Sequence, residues 1–281
     1  MDWMKILTLA CCILTPSAWN AQAGVENQVP SCYAANQIEP ANHLGYSRLI
    51  YVLVDQTVGW NADLEQSILD NLNANLTPGT KFVIAEFSAF SQGRYLDVVD
   101  TGIIENPMPE QQFNNTAIEK SKIFNACLAD QRPYAVALAD RGLLATLQNS
   151  TGSLNHSDIL SALQSVSMAI SADPAPNKLL LLASDGLENS AVGSFYHHGN
   201  IRDIDPQAEI QRAGTAGLFG NFSGARVFVI GGALAGPNSA SAYRSPQTLT
   251  HLAAFWRLYF QKSNAQLVEF GEPALLEQVN F

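Results

Sequence analysis

At 281 residues, with 47% hydrophobic and 14% charged side chains, the chain has the composition of an ordered globular protein and the length of one large domain, which excludes a disordered or fibrous one. Its 25 acidic against 15 basic residues leave a net charge of −10. No Lys/Arg cluster interrupts that balance, so nucleic acid and anionic membranes, which both require a basic footprint, are excluded as partners, while divalent cations and basic partners suit it.

The N-terminal segment is set aside first. Lys5 precedes an apolar stretch at 6–14, long enough for a signal-peptide core and too short to span a bilayer. Ala21-Gln22-Ala23 places small residues where a signal peptidase reads them. Residues 1–23 are therefore expected to be cleaved, leaving a periplasmic or secreted product with no stable membrane anchor. An uncleaved anchor is the alternative. A lipoprotein site at Cys11 or Cys12 fits less well, because Thr8 or Cys11 stands where a lipobox has Leu or a small residue. Of four cysteines, Cys32 and Cys127 remain. In an oxidising compartment such a pair reads as one disulfide, and otherwise as two separate buried thiols. No CxxC or Cys/His spacing exists, so zinc is excluded.

Residues 24–47 are polar and turn-rich, an arm laid over a domain of residues 48–281. A first strand is predicted at 48–54, then a helix at 62–76 from the apolar spacing of Leu64, Ile68, Leu69 and Leu72, stopped by Pro78-Gly79. Strands follow at 81–87 and 95–104, the latter alternating as an antiparallel edge strand does. After a loop at 107–109, a long helix is predicted at 116–148, broken or bent near Pro133. Ser157-Asp158 reads as an N-cap leading into Ile159, Leu160, Leu163, Val166 and Ile170 on one helical face. A fourth strand is predicted at 178–183, a long irregular loop at 186–206, a helix at 208–218, a strand at 226–230, a helix at 248–261 and a last strand at 266–270. Alternating strands and helices predict a doubly wound, mostly parallel α/β sheet with one antiparallel edge strand.

In such a sheet the carboxyl ends of the strands gather at one crevice. The apolar run Leu49-Ile50-Tyr51-Val52-Leu53-Val54 ends in Asp55, with Thr57 two residues on, and the run 179–182 is followed by Ser184-Asp185-Gly186. Ser157 stands at the mouth of the intervening helix. Two carboxylates and two hydroxyls, Asp55, Asp185, Thr57 and Ser157, form an oxygen-only set suited to a Mg²⁺-like ion.

These residues carry a resemblance. Asp55-Gln56-Thr57-Val58-Gly59, Ser157-Asp158-Ile159-Leu160 and Leu182-Ala183-Ser184-Asp185-Gly186, in that order between strands and helices, are similar to the von Willebrand factor type A (vWA) domain over most of residues 48–271. That Rossmann-like family builds a metal-ion-dependent adhesion site from an Asp-x-Ser-x-Ser motif, a Thr opening a later helix and an Asp after the fourth strand. Asp55 and Thr57 match the first motif, Ser157 stands for the Thr, and Asp185 matches the last carboxylate. Gly59 departs from the pattern, having no hydroxyl. The resemblance implies a site for Mg²⁺, Mn²⁺ or Ca²⁺ and a partner protein that completes the ion's shell with a carboxylate, hence an exported, non-enzymatic binding module. A degenerate site in which Asp55 merely caps the strand end is the alternative reading of the same residues.

Other readings stay open beside it. A metal-free structural subunit of an envelope assembly is one, and a metal-assisted hydrolase using Asp55 and Asp185 is another. The Gly-x-Ser-x-Gly elbow, the P-loop and the HExxH helix are all absent from the sequence. His197-His198 and His156 fit solvated or peripheral hydrogen-bonding roles better than ligation. Trp60 and Phe195 are placed at the crevice rim or in the core, and the cluster Phe255, Trp256, Leu258, Tyr259 and Phe260 mostly in the core.

Overall fold

The structure, a computed structural model, describes residues 27–41, 45–88, 96–152, 156–197, 200–234 and 245–281. The segment 1–23 with its cleavage point, Tyr95 and His198 lie outside the described residues. In chain order the elements begin α1 (Cys32–Ala35), β1 (Arg48–Asp55), α2 (Ala62–Asn75), β2 (Thr80–Phe87), β3 (Asp97–Ile104), α3 (Glu110–Asn114) and α4 (Ile118–Asn149). They continue α5 (Ile159–Ala172), β4 (Asn177–Ala183), β5 (Tyr196–His197), β6 (Asn200–Ile201), α6 (Pro206–Thr215), β7 (Ala225–Ile230), α7 (Pro246–Lys262) and β8 (Ala265–Phe270).

Six strands form one sheet in the order β3-β2-β1-β4-β7-β8. β3 pairs antiparallel with β2, and the other four pairings are parallel. This is the expected doubly wound α/β architecture, Rossmann-like. Parity along β1 explains its uninterrupted apolar run. Ile50, Val52 and Val54 pack with Leu64, Ile68 and Leu72 of α2 and with α4. Leu49, Tyr51 and Leu53 pack on the other face with α5, α6 and α7. A strand covered on both faces needs no polar alternation. Asp55 continues the odd-numbered series.

The aromatic run of α7 is core: Phe255, Trp256, Tyr259 and Phe260 are fully buried, and Phe255 meets Phe195 edge to face at 5.0 Å. Phe195 therefore belongs to the core rather than the rim.

The arm is an anchored structure. Cys32 and Cys127 form a disulfide between α1 and α4, and Tyr33, Ile38, Met108 and Phe124 build a small third core around it. Ahead of α1, the Gln28 N–H donates to Thr101 O at 3.0 Å, while Gln28 Oε1 and Asn27 Oδ1 accept from the N–H groups of Thr101 and Ile103 on β3.

Two expectations are corrected. Of the break or bend expected near Pro133, the break does not occur: α4 runs as one helix of 32 residues through it. Proline removes one donor, but Pro133 and Ala129 are exposed, so water can serve the freed carbonyl, and buried Phe124, Gln131, Ala135 and Leu138 hold both halves down. The stretch 186–206 is not irregular throughout. It contains the β5–β6 hairpin, bridges joining Ser157 to Asn189 and Asn189 to Ser194, and the buried side chains of Leu187, Phe195 and Ile204.

Candidate cation site at the carboxyl edge of the sheet

β1 and β4 are neighbours at the centre of the sheet, and the chain leaves them in opposite directions, β1 toward β2 and β4 toward β7. Such a reversal opens a crevice at the strands' carboxyl ends. The register pairs Val54 with Ala183, which sets the next residues, Asp55 and Ser184, side by side.

Asp55 is fully buried. Its Oδ1 accepts from the Thr57 N–H at 2.9 Å and the Thr57 hydroxyl at 2.6 Å. Its Oδ2 accepts from the Ser157 hydroxyl at 3.1 Å and the Ser184 hydroxyl at 2.8 Å. Three segments far apart in sequence thus send hydroxyls to one carboxylate. Burial pushes the Asp55 carboxyl above its ordinary value, and the bonds from Thr57, Ser184 and Ser157 oppose this only in part.

Asp185 follows Ser184 at the same carboxyl edge of the sheet, and its hydrogen bonds to Leu187 and Tyr196 lie within its own loop. Its Oδ1 accepts from the Leu187 N–H at 2.9 Å, and its Oδ2 from the Tyr196 hydroxyl at 3.4 Å. Both carboxylates therefore organise an Asx-turn at a strand end, Asp55 toward Thr57 and Asp185 toward Leu187. Gly186 adopts φ +68, and a methyl there would come within 2.8 Å of Trp256 Nε1. Only glycine fits this turn.

The N-cap expected at Ser157-Asp158 is in place, but neither side chain does the capping. Asp158 is the N-cap residue of α5 and makes no side-chain capping bond, and Ser157 spends its hydroxyl on Asp55. The first turn is served from outside: the Leu160 N–H donates to Glu188 Oε2 at 3.0 Å. Ser157 is also held by its backbone, exchanging hydrogen bonds with Asn189 at 3.2 and 3.0 Å.

The surrounding candidates sort clearly. Gly59 is exposed and its φ lies outside the left-handed range; an added Cβ would meet nothing nearer than Gly152 N at 3.7 Å. Trp60 is half-buried with its ring against Gly231. His156 Nδ1 lies 3.3 Å from Asn189 O, a peripheral hydrogen-bonding position, and His197 is exposed on β5.

Hydroxyls and carboxylates are hard oxygen donors of the kind Mg²⁺, Mn²⁺ and Ca²⁺ take. Each hydroxyl that donates to Asp55 keeps lone pairs for a cation, and a carboxyl whose burial is incompletely offset gains from one. Among the described residues no three His, Cys, Asp or Glu side chains gather as a ligand cluster. An ion here would lean on hydroxyls and water as much as on charge.

Reasoning from sequence missed Ser184, Tyr196 and Glu188. Ser184 had a signal, since it follows the apolar run of β4 as Asp55 follows that of β1. Tyr196 and Glu188 had none, because the folding of their loop decides what they reach.

Comparison with known proteins gives little. No family model matches the chain, and no curated protein does either. Among solved structures, the N-terminal domain of TFIIH p34 is 15% identical with a TM-score of 0.25, covering 76% of this chain and 99% of that one. The PilB minor pilin from Streptococcus sanguinis is 13% identical with a TM-score of 0.30, covering 79% of this chain; the match spans 62% of the pilin chain. Similarity at this level carries no functional argument.

Proposed function

We propose that the protein is an exported binding module that engages a partner protein through a divalent cation held at the carboxyl edge of its sheet. The observation that carries this reading is the convergence of the Thr57, Ser157 and Ser184 hydroxyls on the buried Asp55 carboxylate. Asp55, Thr57, Ser157 and Asp185 would hold the ion, with Ser184 beside them. The vWA resemblance supports the same reading. When bound, the ion would supply an electrophilic point for a carboxylate of the partner. Export is supported by the disulfide, which persists in oxidising compartments. No helix among the described residues is long and apolar enough to cross a membrane.

Thermal unfolding tests the reading. A ligand that binds only the folded state at 100 times its Kd stabilises it by about 2.7 kcal/mol, so saturating Mg²⁺ or Mn²⁺ should raise Tm by roughly 5–10 °C for a domain of this size. Asp55→Asn should fold, because it removes a charge that burial disfavours, and should lose the response. If neither ion moves the native Tm, the metal-free structural subunit takes this reading's place.

A further inference from the structure

Between the two halves of the candidate site lies a group that its hydrogen bonds do not exhaust. Glu188 follows Asp185 by three residues and is 1% exposed. Its Oε2 accepts from the Leu160 N–H in the first turn of α5. Its Oε1 is buried with no hydrogen-bond partner. Hydrogen bonding from the Ser190 hydroxyl and from the Leu160 and Ile159 N–H groups draws the carboxyl down without offsetting its burial, and Ser190 Oγ accepts from the Val192 N–H at 3.2 Å. The backbone here is fixed on both sides: Glu188 O accepts from the Phe195 N–H at 2.8 Å, and Asn189 pairs with Ser157. Residues 188–189 are thus the physical link between the loop that carries Asp185 and the residue that carries the Ser157 hydroxyl.

We propose that Glu188 is a positioning residue of the candidate cation site, clamping the first turn of α5 to the loop after β4 so that Ser157 keeps its place beside Asp55, and that protonation of this carboxylate loosens the site's grip on a cation. The second half rests on the cation reading of the site; the clamp does not.

The charge environment supports an adjustable clamp. Burial, with Asp158 adding to it, pushes the Glu188 carboxyl up to about 7. The groups facing it are Asp158 at the start of α5, Tyr259 on α7, and Glu209 and Arg212 on α6. Glu209 is itself held by Arg202 and Arg212, so these cations are already engaged. A small pocket of about 10 Å³ is lined by Glu188, Glu209 and Arg212, room for about one water. Among the described residues no ion pair reaches Glu188. The ionised form makes a charge-assisted bond to Leu160 and adds negative potential near the site.

Amide NMR across pH 5.5–8.5, without and with Mn²⁺-competed Mg²⁺, tests both halves. In the native, cation-free protein the Leu160 and Ser157 amide resonances should titrate together near pH 7, and in Glu188→Gln they should not. Asp158→Asn should lower that midpoint while leaving the fold intact. Between pH 6 and 8, Mg²⁺ binding should tighten in the native protein by roughly five- to tenfold more than in Glu188→Gln. Amides that stay still, or move equally in Glu188→Gln, overturn the clamp. Equal pH profiles for Mg²⁺ in the two proteins overturn the regulation. If the amides titrate as expected and no ion binds at any pH, the clamp stands and the cation reading falls with the regulation built on it.

Discussion

Two buried glutamates grip the first turn of a helix from across the chain, and they do it differently. Glu105, after β3, accepts at Oε2 from the N–H groups of Cys32 and Tyr33 and from Gln131 Nε2, and at Oε1 from the Ser31 hydroxyl. Gln131 Oε1 in turn accepts from the Glu105 N–H at 2.8 Å. Glu188 performs the same service for α5 with one oxygen and leaves the other unsatisfied. A fully connected buried polar network fixes a structure, whereas a half-connected one stores a cost that can be released. The first lies beside a disulfide, where the arm has only to stay in place. The second lies beside the crevice.

The greatest effect is expected at the disulfide. Cys32 and Cys127 are 95 residues apart, and a cross-link closing a loop of that size contributes roughly 4–5 kcal/mol in the chain-entropy picture. Cys32→Ser with Cys127→Ser should lower the urea midpoint accordingly and leave any Mg²⁺ response unchanged. A double variant as stable as the native protein would show that the Glu105 network alone secures the arm.

The next effect is opposite in sign at the two glutamates. Glu188 has its carboxyl at about 7 against an ordinary value of 4.5, so the unfolded chain gives up its proton first as pH rises. Stability is then lost between about pH 4.5 and 7, by up to roughly 3 kcal/mol. Glu188→Gln should remove that loss and be the more stable protein at pH 8, by equilibrium urea unfolding. Glu105→Gln should cost about 2 kcal/mol at pH 7, because it turns one acceptor of a satisfied network into a donor with nowhere to point. Destabilisation by both changes would erase the distinction.

The smallest effect belongs to Gly59. Its backbone tolerates a side chain and the space beside it is open, so Gly59→Ser should leave Tm unchanged and tighten Mg²⁺ by a few-fold, about 1 kcal/mol, through one more hard oxygen. Isothermal titration would show this, and a site indifferent to the added hydroxyl would place residue 59 outside the ion's reach.

Most of the architecture was legible because β1 and β4 are apolar on both faces and α2 and α5 carry clear helical stripes, signals set by burial alone. Asp55, Thr57 and Ser157 were legible for a related reason: a polar residue ending a buried strand, or opening a helix, has few places to go but the crevice. Asp185 was named by the same rule, yet its bonds to Leu187 and Tyr196 depend on how residues 186–206 fold back. Local sequence does not encode that path. Ser157 shows the limit most plainly, since its type and position fit a helix cap and the structure instead spends its hydroxyl on a carboxylate 102 positions away. The helix at Pro133 failed to break for a tertiary reason, as its flanks are pinned by packing that propensity does not see.

The short stretch ahead of the disulfide has a bearing on solution behaviour. β3 ends the sheet on one side, and an open edge offers unpaired backbone groups to any other extended chain. The Asn27 and Gln28 side chains, with the Gln28 N–H, occupy the outward groups of Thr101 and Ile103. The cross-link at Cys32 keeps that cover in place, so the arm is a guard against edge-to-edge self-association. Loss of residues 27–28 would unmask a template for intermolecular strand pairing, and its consequence would be aggregation at high concentration rather than a change in the fold itself.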